Sequence, residues 1–218
     1  TEKNREPGIK GVVADIIHVQ KDYEVAIETA LGGSIQNIVT DNEQTAKRMI
    51  GFLKKNRFGR ATFLPLSNIS GRGGLNQRDV LSEPGVVGTA NTLGNADKEY
   101  SELVMYLLGR VLVVDNIDHA IAIGKKYRHS LRMVTIEGES LSPGGSMTGG
   151  AFKNNSNLLG RRREIEELER SVGILRKELE ETQKSIGENR SRRNVLRDTI
   201  ADFQQKLRQQ YVEQNTAK

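Results

Sequence analysis

From Ile165 to Gln210 one pattern runs without interruption. Ile165, Leu168, Val172, Leu175, Leu179, Thr182, Ile186, Asn189, Arg193, Leu196, Ile200, Phe203, Leu207 and Gln210 follow one another at alternating steps of three and four. This is the a/d seam of a heptad repeat, and ten of its fourteen positions are apolar. At ~1.5 Å of rise per residue the seam predicts a helix about 70 Å long. No core that the rest of a 218-residue chain can build would cover such a length. A stripe this narrow is stable only against another helix, so the segment reads as one strand of a coiled coil. Asn189 and Arg193 at seam positions suit a register-fixing or loosened stretch. Gly173 and Gly187 each cost the helix ~1 kcal/mol relative to alanine.

The remaining residues are of another kind. Residues 1–150 carry 18 Lys/Arg against 17 Asp/Glu, whereas residues 151–218 carry 15 against 11, so most of the net charge of +5 belongs to the second part. Nucleic-acid binding would therefore come from a local patch near the coil rather than from a globally basic surface. Cysteine is absent, which removes disulfides and thiolate metal sites. No secretory signal and no long apolar run is evident, so a cytoplasmic protein is expected. The opening TEKNRE has no initiator methionine and is followed by Pro7-Gly8, which would end a helix arriving from upstream. The chain thus reads as a piece of something longer. Its globular part would be the turn-around between two antiparallel coil segments.

Residues 7–150 contain an internal repeat. At a constant offset of 77, Glu6, Pro7, Gly8, Gly11, Lys21, Tyr23, Leu31 and Gly32 recur as Glu83, Pro84, Gly85, Gly88, Lys98, Tyr100, Leu108 and Gly109. Each copy reads strand, helix ending in Leu-Gly, strand, helix ending in Lys-Lys, strand. Glycine just past a helix end and β-branched runs before Asp41 and Asp115 both fit that order. An α+β fold follows, of two similar half-domains related by a pseudo-twofold. The Gly- and Ser-rich residues 67–82 would be a mobile link between them.

Four glycines cluster in SPGGSMTGG, residues 142–150. A phosphate-binding P-loop would need a lysine after the last glycine, and Ala151-Phe152 stands there instead. A dinucleotide loop needs G-x-G-x-x-G near the first strand, whereas this stretch has G-G-x-x-x-G-G after the last predicted one. Paired glycines allow positive φ and let another backbone come close. The stretch Gly144, Gly145, Ser146, Met147, Thr148, Gly149 and Gly150 is therefore read as a dimer interface. Exposed strand edges of two pseudo-equivalent halves would pair half one against half two, twice, closing a ring.

ALGGSIQNIVTD, FGRATFLPL and SPGGSMTGGAF, with coiled coil on both sides, resemble the hinge domain of bacterial structural-maintenance-of-chromosomes (SMC) proteins. The likeness covers residues 7 to about 160 and continues into the coil. It implies a half-ring of two subdomains, joined to a second copy in a toroidal homodimer with two interfaces, the Gly motif lying in them. It implies that the hinge sits midway in a long chain whose halves fold back as a coiled-coil arm. ATP and Mg would then be needed only by ATPase heads at the far ends of the arms, so this piece carries no cofactor and is not an enzyme. The upstream coil of the same chain is an expected partner, and no accessory subunit is expected here. The protein would condense and segregate chromosomal DNA during the cell cycle, associated with the nucleoid, its hinge gating DNA passage and binding DNA, single strands above all, where the coils emerge. The expected division is 1–6 incoming coil, 7–66 subdomain I, 67–82 link, 83–160 subdomain II, 161–213 outgoing coil and 214–218 tail.

Candidate DNA contacts are Lys153 and Arg161, Arg162 and Arg163 at the coil root, where related chains place lysines directly after the glycines and this one reads AFKNNSN. Phe152 is a candidate base-stacking ring and equally suits a core anchor for the coil. Lys54 and Lys55, with Arg57 and Arg60, and Lys125 and Lys126, with Arg128 and Arg132, occupy matching places in the repeat. Those lysines equally suit helix C-termini, where the dipole favours cations. His18, His119 and His129 have no convincing metal-ligand spacing, and Asp115 and Asp118 read as helix-start residues. No nucleophile elbow or other catalytic constellation is found. Two other classes stay open on the residues alone: a nucleotide-binding enzyme domain with a coiled-coil tail, and a coiled-coil adaptor whose globular part is a cap.

Overall fold

The duplication in the sequence is a duplication of elements. The computed structural model describes residues 6–71, 73–150 and 158–216, with the side chains of Arg162 and Thr216 excepted. The chain divides into two units, Thr1–Glu164 and Ile165–Lys218. In the first unit, the first copy runs β1 (Ile9–Val12), α1 (Val13–Ile16), β2 (His18–Val19), α2 (Glu24–Leu31), β3 (Ile38–Thr40), α3 (Glu43–Lys55) and β4 (Phe63–Pro65). The second runs β5 (Val86–Thr89), α4 (Ala90–Leu93), β6 (Gly94–Asn95), α5 (Ser101–Leu108), β7 (Val111–Val114), α6 (Ile117–Lys126) and β8 (Arg132–Thr135). It continues into β9 (Ser140–Leu141) and β10 (Met147–Thr148), which the first copy lacks. The second-copy elements β5, α4 and α5 sit 77 residues after β1, α1 and α2.

The repeated residues have repeated jobs. Gly8 and Gly85 each accept a backbone bond, from Asp41 at 2.9 Å and from Asp115 at 2.8 Å. A Cβ on Gly8 would collide with Thr45 and Asp41, and one on Gly85 with His119 and Asp115. Pro-Gly thus lets the first strand of each half pass close to the start of its second long helix. Gly11 and Gly88, at φ 149° and 155°, sit at matching irregularities where β1 meets β3 and β5 meets β7. The helix starts are capped by Asn42, which accepts from the Thr45 amide at 3.0 Å, and Asn116, which accepts from His119 at 2.9 Å. The caps are therefore these asparagines; Asp115 instead accepts from the Asn116 amide and the His119 ring.

Besides the two-stranded sheet β2-β6, two larger sheets result among the described residues, one of order β1-β3-β4 and one of order β10-β9-β8-β7-β5. In each larger sheet, the first strand is antiparallel to its neighbour and the next pairing, β3 with β4 or β7 with β8, is parallel. β2 and β6, equivalent strands of the two halves, pair antiparallel with each other, as a local twofold requires. The main core draws on both halves: Val13, Ile17, Ile27 and Val39 pack in one cluster with Leu103, Leu108, Val111 and Val113. A second cluster, of Val80, Leu112, Val114, Ala120, Ile123, Leu131, Met133 and Leu141, belongs to the second half.

The Gly/Ser-rich link departs from the expected mobile segment. Its C-terminal part is a 3-10 turn, Arg78–Ser82, that drives Val80 fully into the second cluster. Ahead of it the Gly71 amide donates to Glu102 and Arg110 Nε donates to the Gly73 carbonyl. One valine ties the segment down.

α7 (Leu158–Thr216) is a single helix of 59 residues, about 90 Å at ~1.5 Å per residue. Its described bounds reach three residues beyond the expected 161–213 at each end. Its first two turns fall in the globular unit, and the second unit is helix alone as far as Thr216. The apolar seam residues Ile165, Leu168, Val172, Leu175, Leu179, Ile186, Leu196, Ile200, Phe203 and Leu207 are all exposed along it. An apolar stripe of that length suits packing against another helix.

Candidate dimer interface

The Gly-rich stretch is a hairpin rather than a tail after the last strand. β9 pairs antiparallel with β8 on one side and with β10 on the other, placing Met147 opposite Leu141 and Thr148 opposite Ser140. Leu141 is buried in the second cluster and anchors the hairpin. Between the strands, Ser142 donates its amide to Ser146 at 2.9 Å, and Gly145 donates to Ser142 at 3.0 Å. Gly144 and Gly145 take φ 90° and 92°, which only glycine adopts readily. These two glycines are thus accounted for inside the chain, by the turn. Gly149 is different, since its φ is not positive. β10 is the outermost strand of its sheet, and Ser146, Met147, Thr148, Gly149 and Gly150 are exposed, Met147 by 52%.

The first half ends on an edge of the opposite kind. β4 corresponds to β8, yet it is the last strand of its sheet, so the side that β9 covers in the second half is open here. α6 is covered by Val80 and Leu75 from the link and by Leu141, and α3 has no counterpart of these among the described residues. Ile50, Phe52 and Phe58 are accordingly exposed, Phe58 by 59%, with the two rings in edge contact at 5.9 Å. The sequence holds the signal for this open face, the apolar residues at 49, 50, 52, 53 and 58, but without the sheet order it reads as ordinary helix core.

The cationic candidates separate. Lys54 and Lys55 end α3, Lys125 and Lys126 end α6, and all four are exposed. Lys126 is engaged, however: its Nζ lies 2.6 Å from Glu83, which also accepts from Tyr127. Glu6, the repeat-mate of Glu83, is likewise bound, by Arg48 at 2.6 Å. These contacts hold the Glu83 carboxyl below its ordinary range, Lys126 first and Tyr127 second. Arg163 is committed to buried Glu24 at 2.6 Å, while Arg161 is exposed. Lys153 and Phe152 lie outside the described residues, as does the side chain of Arg162. His119 binds Asp115 at 2.8 Å, and no group of three or more metal-ligating side chains occurs among the described residues. No helix there is long and apolar enough to cross a membrane.

Comparison with known proteins places the fold among relatives. Residues 6–124 match the family model described as the SMC proteins flexible hinge domain. The chain is 45% identical over 174 residues to the chromosome partition protein Smc of Bacillus subtilis, covering 78% of this chain and 15% of that protein. An asymmetric dimer of the Geobacillus stearothermophilus SMC hinge domain superposes with a TM-score of 0.72 at 39% identity, over 81% of this chain and 71% of that one. The Pyrococcus furiosus SMC hinge domain gives 0.59 at 32% identity, over 71% and 79%.

Proposed function

This chain belongs to the family of SMC flexible hinge domains, and from that premise we propose that it is a homodimerisation hinge joining two coiled-coil arms. One observation carries the proposal: the molecule ends in two unlike open edges, β4 beside an uncovered apolar face and β10 bearing exposed Met147. β10 of one copy supplies the strand that β4 of the other lacks, and a twofold axis makes the exchange mutual. Two such interfaces hold a pair more firmly than one. When one opens, the other keeps the partner at high effective concentration, which is the property a gate for DNA requires. The asymmetric hinge dimer of Geobacillus stearothermophilus among its structural relatives supports this reading.

The DNA side of the function rests on charge. Arg161, Arg162 and Lys153 at the coil root, with Lys54, Lys55 and Lys125 around the globular unit, form a weak, salt-sensitive site for a phosphate backbone, single strands preferred. The intact protein, of which this chain spans a small part, acts in chromosome partition at the nucleoid, with ATP and Mg used at distant heads. Sedimentation equilibrium on residues 1–160 tests the hinge reading. A dimer is expected, and a monomer would mean that the coil does the joining.

A further inference from the structure

α2 reads EVAIETAL, an apolar helix with two carboxylates, and both are buried: Glu24 is 4% exposed and Glu28 8%. They stand one turn apart on one face. Buried carboxylates need partners, and here the first two turns of α7 supply partners to both. Arg163 Nε donates to Glu24 Oε1 at 2.6 Å. The backbone amides of Leu159 and Leu158 donate to Glu28, and Arg161 adds a positive charge nearby. Leu159 is buried in the main core together with Ile27 and Leu31 of α2, and Leu158 packs against it. All of these residues lie within the globular unit, which ends at Glu164.

We propose that Glu24 and Glu28 form an acidic clamp that fixes the root of the outgoing helix, residues 158–163, to the globular unit, and that this clamp is the releasable joint between hinge and arm. The hold has a plain origin. The first amides of a helix have no partner within it, and a carboxylate suits its positive end. Arg163 adds a charge-assisted bond one turn on. The capacity for release has an equally plain one. Glu28 Oε2 is buried with no hydrogen-bond partner. Burial pushes the Glu28 carboxyl above its ordinary range, the Leu159 and Leu158 amides pull it down, and the charge of Glu24 again pushes it up. Docking therefore keeps a penalty that exposure to water relieves. Release also draws Leu159 out of the main core, so the polar bonds and that burial let go together, as one local opening. Glu24 and Glu28 are on this view positioning residues. Their role in an arm rests on the hinge reading, whereas the clamp itself does not.

Hydrogen exchange on the whole 218-residue chain tests the clamp. Glu28→Ala is expected to speed exchange across residues 158–164 about tenfold or more, with Val111–Val114 and the helix beyond residue 165 at wild-type rates. Glu28→Gln, which keeps a carbonyl oxygen for the amides, should retain most of the protection. Arg163→Gln removes the ion pair without touching α2 and should speed exchange several-fold in the same window. If Glu28→Ala fails to fold, Arg163→Gln alone decides. Unchanged exchange at 158–164 in the folded variants overturns the clamp, and so does a rise shared equally with Val111–Val114. Sedimentation of the same wild-type sample keeps the two ideas apart: a monomer sinks the hinge reading and leaves the exchange result to judge the clamp.

Discussion

Replacing Gly149 with alanine separates folding from association. Gly144, Gly145 and Gly150 have φ of 90°, 92° and 137°, so a side chain at any of them costs the fold roughly 1–2 kcal/mol whatever the partner does. Gly149 has no such constraint. A Cβ there would meet Glu139 Cγ at 3.1 Å, and a shift of a few tenths of an ångström in that side chain relieves it. This small cost is offset by the ~0.4–1 kcal/mol that alanine gains by restricting the unfolded chain. The protomer should keep its stability within about 1 kcal/mol. The dimer should not. Gly149 follows β10 directly, so in the proposed edge-to-edge pairing its added methyl stands where the partner's β4 would approach, once in each of two interfaces. Overpacking of about 1–3 kcal/mol per site sums to roughly 2–6 kcal/mol per dimer, a rise in Kd of about thirty-fold or more. Sedimentation equilibrium over a concentration series measures the Kd. Urea unfolding at the lowest workable concentration measures the protomer, since a dimer's apparent stability depends on concentration. A variant with wild-type Kd and wild-type stability would refute the close backbone approach at Gly149, and with it the edge-to-edge model.

Val80→Ala should lower stability by about 2 kcal/mol, read as a shift in urea midpoint; an unchanged midpoint would return residues 67–82 to the status of a loose link. Lys54→Ala with Lys55→Ala should leave stability alone and lower the salt slope of single-stranded DNA binding by roughly one unit for each phosphate no longer neutralised. Lys126→Ala should instead lower the melting temperature, because it frees Glu83; equal effects of the three lysines on binding would contradict this division. The hydrogen bond from His119 depresses the Asp115 carboxyl, the one from Thr45 depresses Asp41, and the one from Lys126 depresses Glu83. A carboxylate with a lowered folded pKa stabilises the fold above its ordinary value and loses that contribution as pH falls through the folded one. Stability should thus decline on acidification below about pH 4, less steeply in Asp115→Asn, whereas Glu28, shifted upward, works in the opposite sense. Urea midpoints between pH 7 and pH 3 check both the direction and the rescue.

Periodicity and repetition were legible in the residues alone. The heptad spacing from Ile165 to Gln210 requires a long helix with an apolar stripe, because the spacing is a local property of one helix face. The offset of 77 carried the element order with it, since Pro-Gly, the bulge glycines and the Leu-Gly helix ends act within a few residues of where they stand. Other features depend on residues distant in sequence, and these only the tertiary structure decided. Val80 lies in a segment whose composition says linker, and it became core because the α6 face of the second half needed covering. Phe52 and Phe58 have the composition of core and stayed outside, because the first half lacks a β9. The glycines of SPGGSMTGG look alike in sequence; the hairpin accounts for two through their φ, whereas Gly149 has no positive φ to explain it. Glu24 and Glu28 carry no signal of their function in EVAIETAL, because the groups that neutralise them lie more than a hundred residues away on α7. Local geometry can be read from neighbours in the chain, but which faces are covered, and which charges are paired, is settled where distant segments meet.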